Sequence, residues 1–302
     1  MIQENSIKLP WHYAIACKVK DYFQLTKFTL SFMVVFSSVI GYLLVPGVGF
    51  DLLKVLLLFA GGLLITGCAN AINQIMERDT DALMKRTARR PLPDKRMKVE
   101  EAAVFAAILG IGGLVLLALV FNWQCAFLSL LSIVLYGFVY TPWKKWNSLA
   151  VLVGAIPGAL PPLIGWVAGS GQADAGGWIL FAMQFLWQFP HFWAIGWVAY
   201  DDYKRAGFKL LPSDEGKNRF TALQSVTYTI MLIPVGWLPY YFHLTGIVSA
   251  VIVMGLTLFF VFRAVQLYRF CDVPHARKLM FGSYIYLTVA QLVLLADKVK
   301  VV

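Results

Sequence analysis

The chain has 302 residues, of which 59% are hydrophobic and 14% charged, and its formal net charge is +10. A soluble domain averages about 25% charged residues, so the composition excludes an ordinary soluble domain and indicates a polytopic membrane protein in a lipid bilayer. The Lys and Arg residues lie in short loops and not in a basic, aromatic-rich patch, which argues against a nucleic-acid partner.

Nine apolar runs are long enough to cross a bilayer as helices, which takes about 20 residues each. The runs are 25–47, 52–76, 100–121, 123–141, 147–169, 177–199, 220–242, 245–267 and 280–298. The expected fold class is therefore all-α, a polytopic membrane helical bundle of nine transmembrane helices in one domain, 1–302. An eight-helix alternative requires one run to be re-entrant.

The basic residues predict the orientation of this bundle. With the N-terminus inside, 23 of the 26 Lys and Arg residues fall in inside segments, which predicts a cytoplasmic N-terminus because such residues are enriched in cytoplasmic loops. Residues 1–24 then form a cytoplasmic N-terminal segment. This segment contains Glu4 and no Arg, unlike a secretory or mitochondrial leader, and we expect a bacterial cytoplasmic (inner) membrane.

The second run ends in a polar stripe formed by Asn73, Glu77 and Asp81. Steps of four residues place these side chains along one face of a helix. Two carboxylates and an amide match a hard cation such as Mg²⁺ with its phosphate ligands. The basic residues that follow match the phosphates themselves; they are Lys85, Arg86, Arg89 and Arg90. A basic membrane flank is the alternative, but it does not explain Asn73 and Glu77 within helical reach of the bilayer.

A second inside loop, 200–219, loosely resembles the first, 77–99. Each follows a helix, opens with acids and continues into Lys and Arg, as in Asp201-Asp202-Tyr203-Lys204. The similarity suggests a four-helix unit repeated in helices 1–4 and 5–8. If both acid clusters close one site, that site lies at the cytoplasmic mouth of the bundle.

The fourth run ends with Tyr140 and Lys144, which we expect to bind a diphosphate or to anchor the helix at the membrane surface. Pro142 is expected to break the helix between them. In the fifth run, Gly154 and Gly158 form a GxxxG motif that permits close helix packing. The Pro161-Pro162 pair that follows predicts a kink whose freed carbonyls need partners; the alternative is a widened pocket for a bulky apolar substrate.

His191 follows Pro190 inside the sixth run. A histidine within a membrane helix can ligate a metal, including haem iron, or act as an acid or base near neutral pH. The plainer interpretation is a hydrogen bond between helices. The neighbouring aromatic residues either line a slot for a flat ligand or face lipid.

Taken together, these motifs resemble those of the UbiA-type superfamily of intramembrane prenyltransferases, and within it the haem O synthase branch, from about residue 25 onward. The resemblance rests on Asn73-x3-Glu77-x3-Asp81 with Lys85-Arg86 and Arg90-Pro91, on Tyr140-Thr-Pro-Trp-Lys144, on Gly154–Trp166, and on Pro190-His191-Phe192-Trp193 leading to Asp201-Asp202. The superfamily's second signature, Asp-x3-Asp, is absent because Val198 stands four residues before Asp202. This departure weakens the transfer of metal-ligand roles to Asp201 and Asp202.

The resemblance implies a UbiA-type prenyltransferase fold and a farnesyl transfer from farnesyl diphosphate to a vinyl group of haem b, with water addition, giving haem O for terminal oxidases. It implies Mg²⁺ held by Glu77, Asp81 and Asn73, completed by Asp202 and Asp201. The implied diphosphate ligands are Lys85, Arg86, Arg90, Tyr140, Lys144 and Lys204, and His191 is expected to position haem or steer water. Haem A synthase and terminal oxidase assembly are the implied protein partners.

Two alternatives stay open at this point. A quinone-precursor or other aromatic prenyltransferase would share the diphosphate site and differ in its acceptor. A secondary transporter would need charged groups near the membrane midplane, whereas the acids and bases here cluster at one membrane face.

Overall fold

The computed structural model describes residues 11–213 and 215–299, and these fold into α-helices, as expected. The helices are α1 (Trp11–Leu25), α2 (Phe28–Leu44), α3 (Leu52–Asp81), α4 (Val99–Val120), α5 (Trp123–Ile133), α6 (Thr141–Trp143), α7 (Ala150–Ser170), α8 (Ala175–Val198), α9 (Tyr200–Arg205), α10 (Arg219–Tyr241), α11 (Ile247–Phe270) and α12 (Val273–Ala296). A π-helical segment, Val134–Tyr140, joins α5 to α6.

Seven helical segments in the described part of the chain are long and apolar enough to cross a membrane, and an eighth is obtained if α1 and α2 form one bent span. The chain is therefore a multi-pass membrane protein. Helix α8 has 24 residues but is not among the seven, because Gln184, Gln188 and His191 lower its apolar character. The nine spans and the cytoplasmic N-terminus stay predictions, and residues 1–10 of the predicted N-terminal segment lie outside the described residues.

Two helices extend five residues or more beyond the predicted runs. Helix α3 continues to Asp81, five residues beyond the apolar run, so the whole polar stripe is helical. Helix α12 begins at Val273 and not near 280, because Asp272 caps it by accepting a hydrogen bond from the backbone N–H of His275. Hydropathy alone misses such polar first turns, since a capped helix end does not need to be apolar.

Helices α2 and α7 pack backbone against backbone through two glycines. A Cβ atom at Gly165 would overlap the carbonyl oxygen of Ser38, and one at Gly41 would overlap that of Pro162. The predicted GxxxG pair also packs closely, but against side chains: a Cβ at Gly154 would meet the Tyr140 ring 2.6 Å away. These contacts hold α2 and the π-helical segment against α7, and residues that flank α2 and end the π-helical segment take part in the site described below.

Helix α7 runs from Ala150 to Ser170 although it contains three prolines. Pro162 has no N–H for the carbonyl of Gly158, four residues earlier, and leaves that carbonyl without its helical partner. Gln184 of α8 fills the gap, donating from Nε2 to the Gly158 oxygen at 2.8 Å. The expectation that the prolines free carbonyls needing partners is thus confirmed, and it explains one of the polar residues in α8.

We predict that Gly165→Ala destabilises the bundle. The new methyl group must displace the Ser38 backbone, and overpacking of this kind costs about 1–3 kcal/mol. Gly255→Ala is the matched control, because Gly255 lies inside α11 with no atom within 4 Å of a built Cβ. The measurement is thermal unfolding in detergent, in which Gly165→Ala lowers Tm and Gly255→Ala does not. Equal melting temperatures in the two variants would contradict the backbone contact.

Candidate active site

The junction between α1 and α2 is a bend of 49° that faces α3. Two amides of α3 satisfy the carbonyls that the bend frees: Asn70 donates from Nδ2 to Thr26 O at 3.1 Å, and Gln74 donates from Nε2 to Leu25 O at 2.8 Å. Lys27 sits at the turn itself with φ of 48°, in the left-handed region that a residue with a side chain rarely adopts. This backbone conformation brings the Lys27 ammonium group to the polar stripe of α3.

Asn73, the first residue of the stripe, uses both ends of its amide. Its Oδ1 accepts from Nζ of Lys27 at 2.8 Å, and its Nδ2 donates to Oγ1 of Thr141 at 3.1 Å. Thr141 in turn donates to the carbonyl of Tyr136 at 2.8 Å. Asn73 of α3 therefore links the bend before α2 to the start of α6.

The π-helical segment overturns one prediction about Pro142. The N–H of Thr141 donates to the carbonyl of Tyr136, five residues earlier, and the N–H of Lys144 donates to that of Tyr140 at 3.3 Å. Helical hydrogen bonds therefore flank Pro142, and the prediction that it breaks the helix between Tyr140 and Lys144 is wrong. Pro142 is the second residue of α6 and lies in its first turn, where a missing N–H and a fixed φ are tolerated.

Glu77 and Lys144 form a buried ion pair, with Nζ donating to Oε1 at 2.8 Å. The ammonium group also lies over the Tyr140 ring, 4.3 Å from its centroid, and 5.7 Å from that of Phe208. Burial acts to lower the pKa of Lys144, but the Glu77 carboxylate and two nearby tyrosines outweigh it, so the pKa is raised. Lys144 is therefore held charged beside Glu77.

Asp81 forms the second buried ion pair. Arg90 donates to its Oδ2 at 2.6 Å, and the Asp81 side chain has no exposed surface. Thr87 donates to the Asp81 backbone carbonyl at 2.8 Å, which folds the following loop back over the end of α3. We refer to Glu77, Asp81, Arg90 and Lys144 as the ion-pair cluster.

The other oxygen of Asp81, Oδ1, is buried without a hydrogen-bond partner. Such an orphaned carboxylate oxygen is costly and fits a cation that would bind there. In the described ranges, no group of three or more His, Cys, Asp or Glu side chains is assembled for a metal. Glu77 and Asp81 nevertheless fit Mg²⁺, which commonly uses one or two carboxylates and takes its remaining ligands from substrate phosphates and water.

The second inside loop contacts the first, but not through its acids. Arg86 donates to the hydroxyl of Tyr203 at 3.1 Å, and Met84 joins an apolar cluster with Phe208. Asp202 is paired with Arg205 on its own short helix, α9. The metal-ligand role of Asp202 therefore stays a prediction.

The remaining predicted residues of the two loops are solvent-exposed. This set comprises Lys85, Arg86, Asp201 and Lys204. Their side chains extend from the loops that border the ion-pair cluster, and their assignment to metal or diphosphate also stays a prediction.

Lys27 lies beside the ion-pair cluster and interacts electrostatically with all four of its residues. The cluster itself pairs two cations with two carboxylates. When Lys27 is protonated, a third cation faces these two carboxylates, and this charge balance favours binding of an anion.

His191 lies in a separate cluster between α8 and α12. Its ring stacks on Trp187 with centroids 4.6 Å apart and meets the Tyr284 ring edge-on at 5.0 Å. Nδ1 is 2.7 Å from Oγ of Ser283, so the predicted hydrogen bond between helices is confirmed. The predicted role of His191 toward a substrate is a separate proposal, taken up below.

The sequence assigned no site role to four residues that lie beside these two clusters: Lys27, Thr141, Tyr203 and Ser283. Lys27 was one of the basic residues that predict the orientation of the bundle, and Thr141 was part of the Tyr-Thr-Pro motif without a role of its own. Tyr203 and Ser283 are recognisable only from contacts between distant segments. Of the four, Thr141 alone had a local signal, namely its position beside Tyr140.

Comparisons with known proteins identify the family of this chain. Residues 34–287 match the UbiA prenyltransferase family. A protoheme IX farnesyltransferase from Cytophaga hutchinsonii is 47% identical over 285 residues, covering 94% of this chain and 100% of that protein.

Two solved structures share the fold. A digeranylgeranylglyceryl phosphate synthase structure matches with a TM-score of 0.77 and 23% identity, covering 93% of this chain and 98% of the other. A UbiA homologue from Archaeoglobus fulgidus bound to DMAPP and Mg²⁺ matches with a TM-score of 0.72 and 15% identity, covering 91% and 99%. The fold expectation of a UbiA-type helical bundle is therefore confirmed.

We predict that Mg²⁺ with inorganic diphosphate raises the Tm of the purified protein, because a ligand that binds only the folded state stabilises it. Asp81→Asn should lose most of this shift, since it alters the carboxylate whose Oδ1 has no partner. Asp79→Asn is the matched control, because Asp79 is an exposed acid of the same helix end. A shift of equal size in wild type and Asp81→Asn would rule out this carboxylate as a metal ligand.

Proposed function

The chain belongs to the UbiA prenyltransferase family, and from that premise we propose that it transfers a farnesyl group from farnesyl diphosphate to a vinyl carbon of haem b, with water addition, to give haem O. The acceptor is assigned from the match, over almost the whole chain, to a protoheme IX farnesyltransferase. The donor is assigned from the ion-pair cluster, whose carboxylates and cations, with Lys27 beside them, match a metal-bound diphosphate.

The diphosphate is assigned to the basic end of the bundle. Mg²⁺ bound by Glu77 and Asp81, with Asn73, would supply Lewis acidity toward the leaving group. The structural relative bound to DMAPP and Mg²⁺ supports the use of a divalent metal together with a prenyl diphosphate. Asp201 and Asp202 are proposed to complete the metal site from the second loop when substrate is bound.

Cations of the chain neutralise the charge that builds on the leaving diphosphate. Lys144 and Arg90 are already held at the carboxylates, within the same site. The flanking residues proposed for the same task are Lys85, Arg86, Tyr140 and Lys204. Such preorganised charges act where negative charge develops in the transition state.

The reaction breaks the bond between C1 of the farnesyl chain and the diphosphate oxygen, and the allylic cation left behind is delocalised. The Tyr136 and Tyr140 rings stand side by side with centroids 5.4 Å apart, and aromatic faces attract cations. The vinyl π electrons of haem b form the new carbon–carbon bond. Water then adds to the resulting cation beside the porphyrin and releases a proton to solvent.

The proposed setting follows from the same chemistry. We place the protein in a bacterial cytoplasmic membrane, consistent with the bacterial origin of its relatives. Haem O leaves for a terminal oxidase directly or after conversion by haem A synthase, and both are proposed as protein partners. His191 is proposed to position haem b.

The proposal is tested by incubating the purified protein with haem b, farnesyl diphosphate and Mg²⁺ and measuring product mass, with 4-hydroxybenzoate as a competing acceptor. We expect haem b to gain the mass of one farnesyl group, one hydroxyl group and no more. Prenylated 4-hydroxybenzoate as the sole product would instead assign a quinone-precursor enzyme. Formation of neither product would contradict the proposed prenyl transfer and leave the transporter as the alternative.

We predict that Glu77→Gln lowers turnover by about 10²–10³-fold, the usual loss when one preorganised electrostatic group is removed. Asp79→Asn, on the same helix end but exposed, should keep wild-type turnover. Because Glu77→Gln leaves Lys144 buried without its partner, thermal unfolding is measured in parallel. A folded Glu77→Gln protein with wild-type turnover would contradict the role of the ion-pair cluster in catalysis.

A further inference from the structure

A chain of two hydrogen bonds assigns the proton on the His191 ring. His191 Nδ1 is 2.7 Å from Oγ of Ser283, and the same Oγ is 2.5 Å from the carbonyl oxygen of Met280. A carbonyl only accepts, and the serine hydroxyl has a single proton to donate. Both bonds form together only if Ser283 donates to Met280 O and His191 donates from Nδ1. The neutral ring then carries its lone pair on Nε2.

The orientation of the ring is fixed as well. Trp187 stacks on one face at an interplanar angle of 17°, and its own Nε1 donates to the Ser283 carbonyl at 2.8 Å. Tyr284 supplies an aromatic edge and is itself 44% exposed. Within the part of the chain that the structure describes, the His191 ring makes its hydrogen bond through Nδ1 alone. Nε2 is therefore free for a ligand.

This arrangement is typical of a metal-ligating histidine. Such a residue donates its second ring N–H to an oxygen acceptor, which fixes the tautomer and makes the ligating nitrogen more basic. Neutral imidazole is also a common axial ligand of haem iron. His191 is buried, with 7% of the residue exposed, so its ring is held in place by its neighbours.

We propose that Ser283 is a positioning residue for the acceptor: it holds His191 in the Nδ1–H tautomer, so that Nε2 ligates the iron of haem b. This inference rests on haem b being the acceptor in the proposed function. The Ser283 hydroxyl touches no reacting atom, and its effect passes entirely through the ring.

The test is a titration of the purified, detergent-solubilised full chain with ferric haem b, followed by the Soret absorbance and by electron paramagnetic resonance of the iron. The variants are Ser283→Ala, which removes the acceptor of the Nδ1 proton, and Ser283→Thr, which retains a hydroxyl. His191→Ala removes the ligand and is measured with and without added imidazole. Ser225→Ala is the matched control, because Ser225 is a buried serine whose hydroxyl donates to a helical carbonyl, Thr221 O, with no histidine beside it.

We expect a nitrogen-ligated iron signature in wild type, its loss in His191→Ala and its return with imidazole. Ser283→Ala should weaken haem b binding by about 10–100-fold, the usual effect of removing such a partner, while Ser283→Thr and Ser225→Ala stay near wild type. Ser283→Ala with wild-type affinity and signature overturns the proposal. So does a wild-type complex without a nitrogen ligand, a result that needs no variant to fold.

The experiments distinguish a failure of the Ser283 proposal from a failure of the proposed farnesyl transfer. Wild-type protein that forms haem O while Ser283→Ala keeps the wild-type iron signature overturns the role of Ser283 alone. Wild-type protein that binds haem b through His191 and forms no haem O with farnesyl diphosphate and Mg²⁺ supports the ligand site and overturns the farnesyl transfer.

Discussion

The structure of the site depends on two carboxylates that are buried at the end of one membrane helix. Removing an ionised carboxylate from water costs several kcal/mol even in a relaxed protein, so Glu77 and Asp81 need cations from elsewhere. Lys144 lies 67 residues after Glu77, and Arg90 lies in the loop that returns over α3. The two ion pairs therefore hold the first loop and the end of the fourth span against α3.

Two irregular backbone segments bring other groups to this cluster. The bend before α2 places Lys27 in a left-handed conformation, and the π-helical segment before α6 turns Thr141 toward Asn73. Left-handed residues with side chains and π-helical turns are costly and cluster at functional sites. Here each has an identifiable compensation. Amides of α3 satisfy the carbonyls at the bend, and Asn73 accepts a hydrogen bond from Lys27 and donates one to Thr141.

The parts of the site that the sequence predicts are those set by local periodicity. Asn73, Glu77 and Asp81 follow the helical repeat, so their shared face was predictable without tertiary information. The continuity of helical hydrogen bonds around Pro142 could not be predicted from the sequence, because it depends on the π-helical segment that precedes the proline. Ser283 lies 92 residues from His191, and only the packing of α8 on α12 brings the two together. Hydropathy alone has the same limit for helix α8, because two of the residues that lower its apolar character, Gln184 and Gln188, donate hydrogen bonds to carbonyls of α7.

The pairing within the cluster also bears on how the donor and the metal affect one another's binding. The three cations nearest the carboxylates are already engaged: Lys144 with Glu77, Arg90 with Asp81, and Lys27 with Asn73. If Lys144 and Arg90 turned to phosphate oxygens alone, Glu77 and Asp81 would be left as unpaired buried charges, at a cost of about 3–5 kcal/mol for each broken pair. A divalent cation at the orphaned Asp81 oxygen would remove that penalty, and protonated Lys27 would add a positive charge that attracts the anion. Donor and metal are therefore expected to stabilise one another's binding, since each resolves the electrostatic penalty that the other would create alone.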